Sequence, residues 1–262
     1  MRNLSQINIQ GKYMNEISIV SSDARYAAVN SMLNQNGFVS RICTPSTVGS
    51  PDALILPIKS TLSDEEFSTI FQGVKESAFV FCADRDKVRR FFGGRIIDYS
   101  QNEEFLDKNA YITAECAVMI IMDRLKKTLS QSSVAVIGYG RIGKHLCTVL
   151  KALGASVTVF ARREESRISA IERGCTAYPI SSLTKRYYDA VLNTAPSPII
   201  SRAESEKISK QSLVIDLASL PGGFEDSDFP ERALGLPGKM KPESAGMAIF
   251  DFVYEYISNE GN

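Results

Sequence analysis

One stretch constrains this chain more than any other. From Val134 to Arg163 it reads VAVIGYGRIGKHLCTVLKALGASVTVFARR. An apolar run of strand length meets glycines at 138, 140 and 143, a helical period follows, Gly154 stops it, and a second apolar run, VTVF, closes the stretch. That order predicts strand, tight turn, helix, strand. Two strands joined by a helix of this length pair in parallel, because a hairpin cannot make the connection. The turn is GYGRIG: Gly138, Tyr139, Gly140, Arg141, Ile142 and Gly143. Gly138 permits the sharp turn, Gly140 lets a pyrophosphate approach the backbone, and Gly143 lets the helix pack on the strand. The phosphates would lie at the positive end of that helix. With its strand–turn–helix–strand context complete, the motif predicts dinucleotide binding.

The residues at the end of the second strand decide which dinucleotide. A carboxylate there accepts from a free ribose 2′-hydroxyl. This chain has Ala161-Arg162-Arg163 instead. Two guanidiniums suit a 2′-phosphate, which each can grip through paired charged hydrogen bonds. NADP is therefore the expected cofactor, with NAD possible. The plainer reading is a solvated charge cluster, since Glu164 and Glu165 follow at once. Ligands of such folds bind beyond the carboxyl ends of the strands. Two further turns qualify: Asn193-Thr194-Ala195-Pro196, and the segment holding Asp216, Ala218 and Ser219. Asn193 and Ser219 are candidates to orient the nicotinamide or its ribose, or else they serve turn chemistry.

Composition removes other classes. Thirty Lys plus Arg balance thirty Asp plus Glu. A nucleic-acid binder shows a basic excess or a basic run, and none is present. The one histidine, His145, excludes a multi-His metal site. It falls two residues after Gly143, beside the expected pyrophosphate and far from the reacting end of a dinucleotide, so a structural role is expected. Five scattered cysteines without a C-x-x-C fit buried thiols in a reducing compartment. The first residues lack the apolar core of a signal peptide, and no run of about 18 apolar residues occurs. A cytoplasmic protein with no membrane span is expected.

The first half alternates in the same way. EISIV, FVSRIC, ALILPI, AFVFCA and RIIDY read as strands; DARYAAVNSMLNQ, SDEEFSTIFQGV and DKVRRFF read as helices. Strands alternating with helices predict a parallel sheet covered on both faces. The expected architecture is α/β with two doubly wound domains, flavodoxin-like then Rossmann. Its expected boundaries are a substrate domain at 1–112, a linking helix at 113–130, a Rossmann domain at 131–242, and a C-terminal helix at 243–262 that returns to the first domain. YDAVLNT and SLVIDLAS are the later strands, with a helix expected in IISRAESEKIS between them.

The segments VAVIGYGRIGKHL, VLNTAPSPII, LVIDLASLPGG and LGLPGKMKPESAGMAI, with SSDAR, LILPI and NAYITAE in the first half, resemble the dipicolinate synthase A-subunit family. DLAS-x-PGG followed by GLPGK-x-x-P-x-x-AG carries the resemblance more specifically than the glycine turn. Ser21-Ser22 and Cys116 stand where that family tends to have glycine. The resemblance implies NADP-linked oxidation of dihydrodipicolinate to dipicolinate in the mother cell of a sporulating bacterium, with a flavoprotein partner from the same synthase. A homo-oligomer is also expected.

Aromatising a dihydropyridine removes a hydride and a proton. The protein must position the ring, bind two carboxylates and accept one proton, so a catalytic histidine is dispensable. Arg25, Ser60, Thr61 and Thr113 are the candidates to bind this small dicarboxylate, Lys239 is a candidate cation at the reacting site, and Glu115 is the candidate proton acceptor. Each has a plain alternative as a surface charge or helix-end residue. The competing functions are another NAD(P)-dependent dehydrogenase, or a non-catalytic NAD(P)-binding subunit or sensor.

Overall fold

The computed structural model describes residues 16–21, 23–58 and 62–259. They form two compact units. One holds residues up to Leu106 together with Pro242 onward; the other runs from Asp107 to Lys241.

The first unit contains β1 (Glu16–Val20), α1 (Ala24–Gln35), β2 (Val39–Cys43), β3 (Ala53–Ile55), α2 (Asp64–Phe71), β4 (Phe79–Cys82), α3 (Arg85–Arg89) and β5 (Arg95–Asp98). All pairings are parallel, in the order β2-β1-β3-β4-β5. This is the flavodoxin-like order, with its switch point between β1 and β3. Strand alternation divides the core. Ile17 and Ile19 point to one face, with Tyr26, Val29 and Leu33 of α1, while Val20, Leu54 and Leu56 share the other with Phe67 and Ile70 of α2. Helix α2 starts on a capping box, in which Ser63 and Glu66 satisfy each other's backbone amides.

A long helix, α4 (Glu103–Arg124), carries the division between the units. It begins ten residues before the expected start at 113 and ends before the expected 130, so Thr113 and Glu115 lie in its interior and not at its N-terminus. The EEFLDKNAYI segment starts on Asn102, whose Oδ1 accepts from the Phe105 amide at 2.7 Å as an N-cap, but it carries no clean apolar stripe.

The second unit continues with β6 (Ser133–Ile137), α5 (Arg141–Ala152), β7 (Ser156–Phe160), α6 (Glu164–Glu172), β8 (Thr176–Tyr178), β9 (Ala190–Asn193), α7 (Arg202–Ser205), β10 (Leu213–Asp216), β11 (Glu231–Arg232) and α8 (Leu236–Met240). The parallel order is β11-β10-β9-β6-β7-β8. It reverses direction between β6 and β9, which is the Rossmann switch point. Helix α7 is four residues long where a helix across IISRAESEKIS was expected. Finally α9 (Pro242–Asn259) belongs to the first unit and packs on α1. The crossing is close: a Cβ at Gly246 would fall 2.5 Å from the Arg25 carbonyl oxygen. Phe252 and Val253 enter the same core as Ile17 and Tyr26.

Candidate dinucleotide site

The glycine turn joins β6 to α5 at the switch point. Gly138 has φ +89°, which an L side chain rarely adopts, and a Cβ there would fall 2.7 Å from Thr194 Oγ1. Gly143 sits under the turn, where a Cβ would meet the Gly138 carbonyl oxygen at 2.5 Å. Gly140 differs from both. It precedes α5 with ordinary extended backbone, and a Cβ there would meet nothing within 4 Å. Lacking a side chain, it cannot cap α5. The positive end of a twelve-residue helix therefore faces open space with its first amides unshielded. That combination fits a pyrophosphate.

The open space continues as a cleft of about 240 Å³. Its walls are the glycine turn, Ala161 to Arg163 with Ser166, and Thr194 to Ser197 with Ile199 and Ile180. Arg162 and Arg163 are exposed at its edge. No carboxylate follows β7; buried Ala161 does. Thr194 donates from its hydroxyl to the Ile137 carbonyl at 2.9 Å, fastening the β9 turn to the end of β6. Ser166, Ser197, Ile180 and Ile199 carry no sequence signal of their own: Ser166 is in the first turn of α6, Ile180 starts a 3-10 segment, and Ser197 and Ile199 lie in the loop after β9. Tyr139 lines the cleft and is buried.

Asn193 and Asp216 lie beneath the site and do not face the cleft; both are fully buried. The Asn193 amide nitrogen donates to Asp216 Oδ1 at 2.7 Å and to the Ala195 carbonyl at 2.9 Å, and its oxygen accepts from Ala195 N. Asp216 also accepts from the amides of Ala218 and Gly223. The expectation that the Asn193 side chain touches the cofactor is corrected: its hydrogen-bonding capacity holds two loops. Asp216, Ala218 and Ser219 lie outside the cleft lining, although Ser219 is exposed.

His145 lies on α5, where its Nε2 is 2.9 Å from Asp107 Oδ1 and its ring meets Tyr111 edge-on. It fastens α5 to α4, the structural role expected of it.

The substrate candidates are scattered by comparison. Ser60 and Thr61 lie outside the described residues. Arg25 is in the first unit, just inside α1. Its guanidinium forks onto Asp23, the residue capping α1, with Nε to Oδ1 at 2.9 Å and Nη2 to Oδ2 at 2.6 Å. This hydrogen bond holds the Asp23 carboxyl below its usual range. Asp23 thus already occupies the bidentate edge assigned to a substrate carboxylate. The other candidates are in the second unit. Thr113 is buried, and its hydroxyl donates to the Asn109 carbonyl one turn back, so it is not presented to a ligand. Glu115 is exposed on α4, and Lys239 is exposed on α8.

The fold and the site define an NAD(P)-dependent oxidoreductase. Residues 109–218 match the family described as D-isomer specific 2-hydroxyacid dehydrogenase, NAD binding domain. Within that class, the chain is similar to the A subunit of dipicolinate synthase, as its motifs indicated. It is 27% identical over 232 residues to that protein from Bacillus subtilis (strain 168), covering 79% of this chain and 78% of the relative. The crystal structure of the Bacillus subtilis dipicolinate synthase A chain superposes with a TM-score of 0.78 at 21% identity, over 95% of this chain and 97% of that one. The corresponding A subunit from Bacillus halodurans gives the same TM-score and identity over 92% and 97%.

Proposed function

We propose that this chain is an NADP-linked oxidoreductase that converts dihydrodipicolinate to dipicolinate, working with a flavoprotein partner in the mother-cell cytoplasm of a sporulating bacterium. The observation that carries the cofactor assignment is the end of β7, where Arg162 and Arg163 border the cleft and no carboxylate is present. Similarity to the dipicolinate synthase A subunit over most of both chains supports the substrate.

The bound dinucleotide supplies the hydride acceptor. The chain's own residues do the rest. The glycine turn and the start of α5 hold the pyrophosphate; Arg162 and Arg163 hold the 2′-phosphate. On the second unit, exposed Lys239 is the proposed carboxylate-binding cation; on the first, the Nη1 edge of Arg25 is proposed for a carboxylate, and Ser60 and Thr61 are proposed donors. Glu115 accepts the ring proton. Thr113 serves the α4 backbone. Oxidising a secondary alcohol calls for a group that exchanges a proton with the hydroxyl. The single histidine is committed to Asp107 on the pyrophosphate helix, and an aromatising oxidation does not require it.

The test is direct. Dihydrodipicolinate is generated enzymatically, and the chain is added with NADP, with and without the flavoprotein. Dipicolinate formation dependent on this chain and on NADP is expected. No product under either condition, with the chain folded and binding cofactor, would refute the substrate and favour another dehydrogenase or a cofactor-binding sensor.

A further inference from the structure

Arg167 belongs to no motif, yet it makes the two most specific contacts in the β7–α6 connection. Its Nη1 donates to the Ala161 carbonyl at 2.9 Å and to the Arg162 carbonyl at 2.8 Å. A trans peptide is planar, with its carbonyl and the following N–H pointing in opposite directions. Drawing both carbonyls onto Arg167 therefore turns the amides of Arg162 and Arg163 away from it. Neither amide has a backbone partner among the described residues. All three loop residues line the cleft, and so does Ser166 from the first turn of α6. The two carbonyls converge on one nitrogen, so the two amides fan apart on the far side, and what Arg167 fixes is the course of the loop that carries both guanidiniums.

We propose that Arg167 is a positioning residue that fixes the Ala161–Arg163 loop and so holds the Arg162 and Arg163 guanidiniums for the ribose 2′-phosphomonoester of the cofactor. The inference rests on the NADP reading and adds a cause to it. Two exposed arginines on an unfixed loop would spend rotamer and backbone freedom on binding. With the loop clamped by Arg167, the two guanidiniums are presented from a fixed backbone.

The experiment compares wild type with Arg167→Ala, Arg167→Gln and Arg167→Lys. NADPH and NADH binding are followed by fluorescence titration, and 2′,5′-ADP and 5′-AMP binding by calorimetry. Circular dichroism checks the fold of each variant. In Arg167→Ala, affinity for NADPH and 2′,5′-ADP should fall about tenfold or more, the worth of one charge-assisted hydrogen bond, while NADH and 5′-AMP change by less than about threefold. Arg167→Lys should retain part of the preference, because one ammonium can still reach a loop carbonyl. Equal losses for phosphorylated and unphosphorylated ligands would make Arg167 a plain structural residue and overturn the inference. So would a preference that survives in Arg167→Ala and Arg167→Gln. Wild type binding NADPH no better than NADH would instead overturn the NADP reading, and this inference with it.

Discussion

Asn193→Ala separates a residue that holds the site from one that touches the ligand. Asn193 is fully buried and makes three hydrogen bonds, one to the carboxylate of Asp216. A hydrogen bond to a charged group contributes about 1.5–3 kcal/mol and a neutral one about 0.5–1.5 kcal/mol. Two features limit the loss. Asp216 keeps the amides of Ala218 and Gly223, so no bare charge is left. Ala195 is only half-buried, so water can reach its freed amide and carbonyl. The expected destabilisation is about 3 kcal/mol, or roughly 9–15 °C in Tm for a unit spanning Asp107 to Lys241. Thermal melting by circular dichroism gives the stability, and NADPH titration at low temperature gives the affinity. A large drop in Tm with affinity weakened only through a looser β9 turn is expected. A Tm within about 2 °C of wild type, with binding abolished, would refute the scaffold argument. Asn193→Asp is a sharper version. It places two carboxylates face to face in a buried site, so it should be less stable than Asn193→Ala at neutral pH and recover as one of the pair protonates.

Gly140→Ala and Gly143→Ala should fail in opposite ways. The first leaves the melting curve nearly unchanged, since its Cβ meets no protein atom, but weakens cofactor binding, while the second drives a methyl into the Gly138 carbonyl and lowers Tm. His145→Gln should retain turnover and cost no more than about 1 kcal/mol in melting experiments, because its partner Asp107 is exposed and water can replace the contact; abolished turnover with a normal fold would return His145 to the chemistry. At Asp189, burial pushes the carboxyl up, but Lys127 at 2.8 Å and donors from Ser133 outweigh it and leave it below its usual value. The stability this carboxylate adds is present above the ordinary carboxyl range and lost as pH falls through the lowered value. Asp189→Asn should flatten the acid limb of stability measured by denaturant titration at stepped pH.

The elements that were legible from sequence are those whose burial writes itself into one-dimensional pattern. Buried parallel strands read as continuous apolar runs such as VAVI and FVFC, and the capping box at Ser63 marked α2 without ambiguity. Where burial is slight the pattern fades. Helix α6, EESRISAIE, has one fully buried residue, Ala170, and β8 is three residues with none. Neither was expected, although both follow directly on the best motif in the chain. The start of α4 was misplaced for a related reason. Its faces bury different residues along its length, so no single stripe runs through it.

The site divides along the same physical line. Glycines at 138, 140 and 143 were readable because a missing side chain is a chemical requirement of the turn, and it leaves its mark in the sequence whatever the tertiary context. Polar side chains carry no such mark. Asn193, Arg25 and Thr113 are residue types that bind ligands, and their placement after strands or near a helix start invited that reading. The fold spends them otherwise: Asn193 on distant Asp216, Arg25 on its near neighbour Asp23, and Thr113 on a backbone carbonyl one helical turn back. Arg167 is the converse case: an unremarked helix residue whose guanidinium fixes two peptides at the edge of the cleft. A polar residue's partner is a three-dimensional fact. Sequence can therefore name the backbone half of a dinucleotide site with far better precision than the side-chain half, and variants that read ligand selectivity and melting temperature together are the ones that separate contact from support.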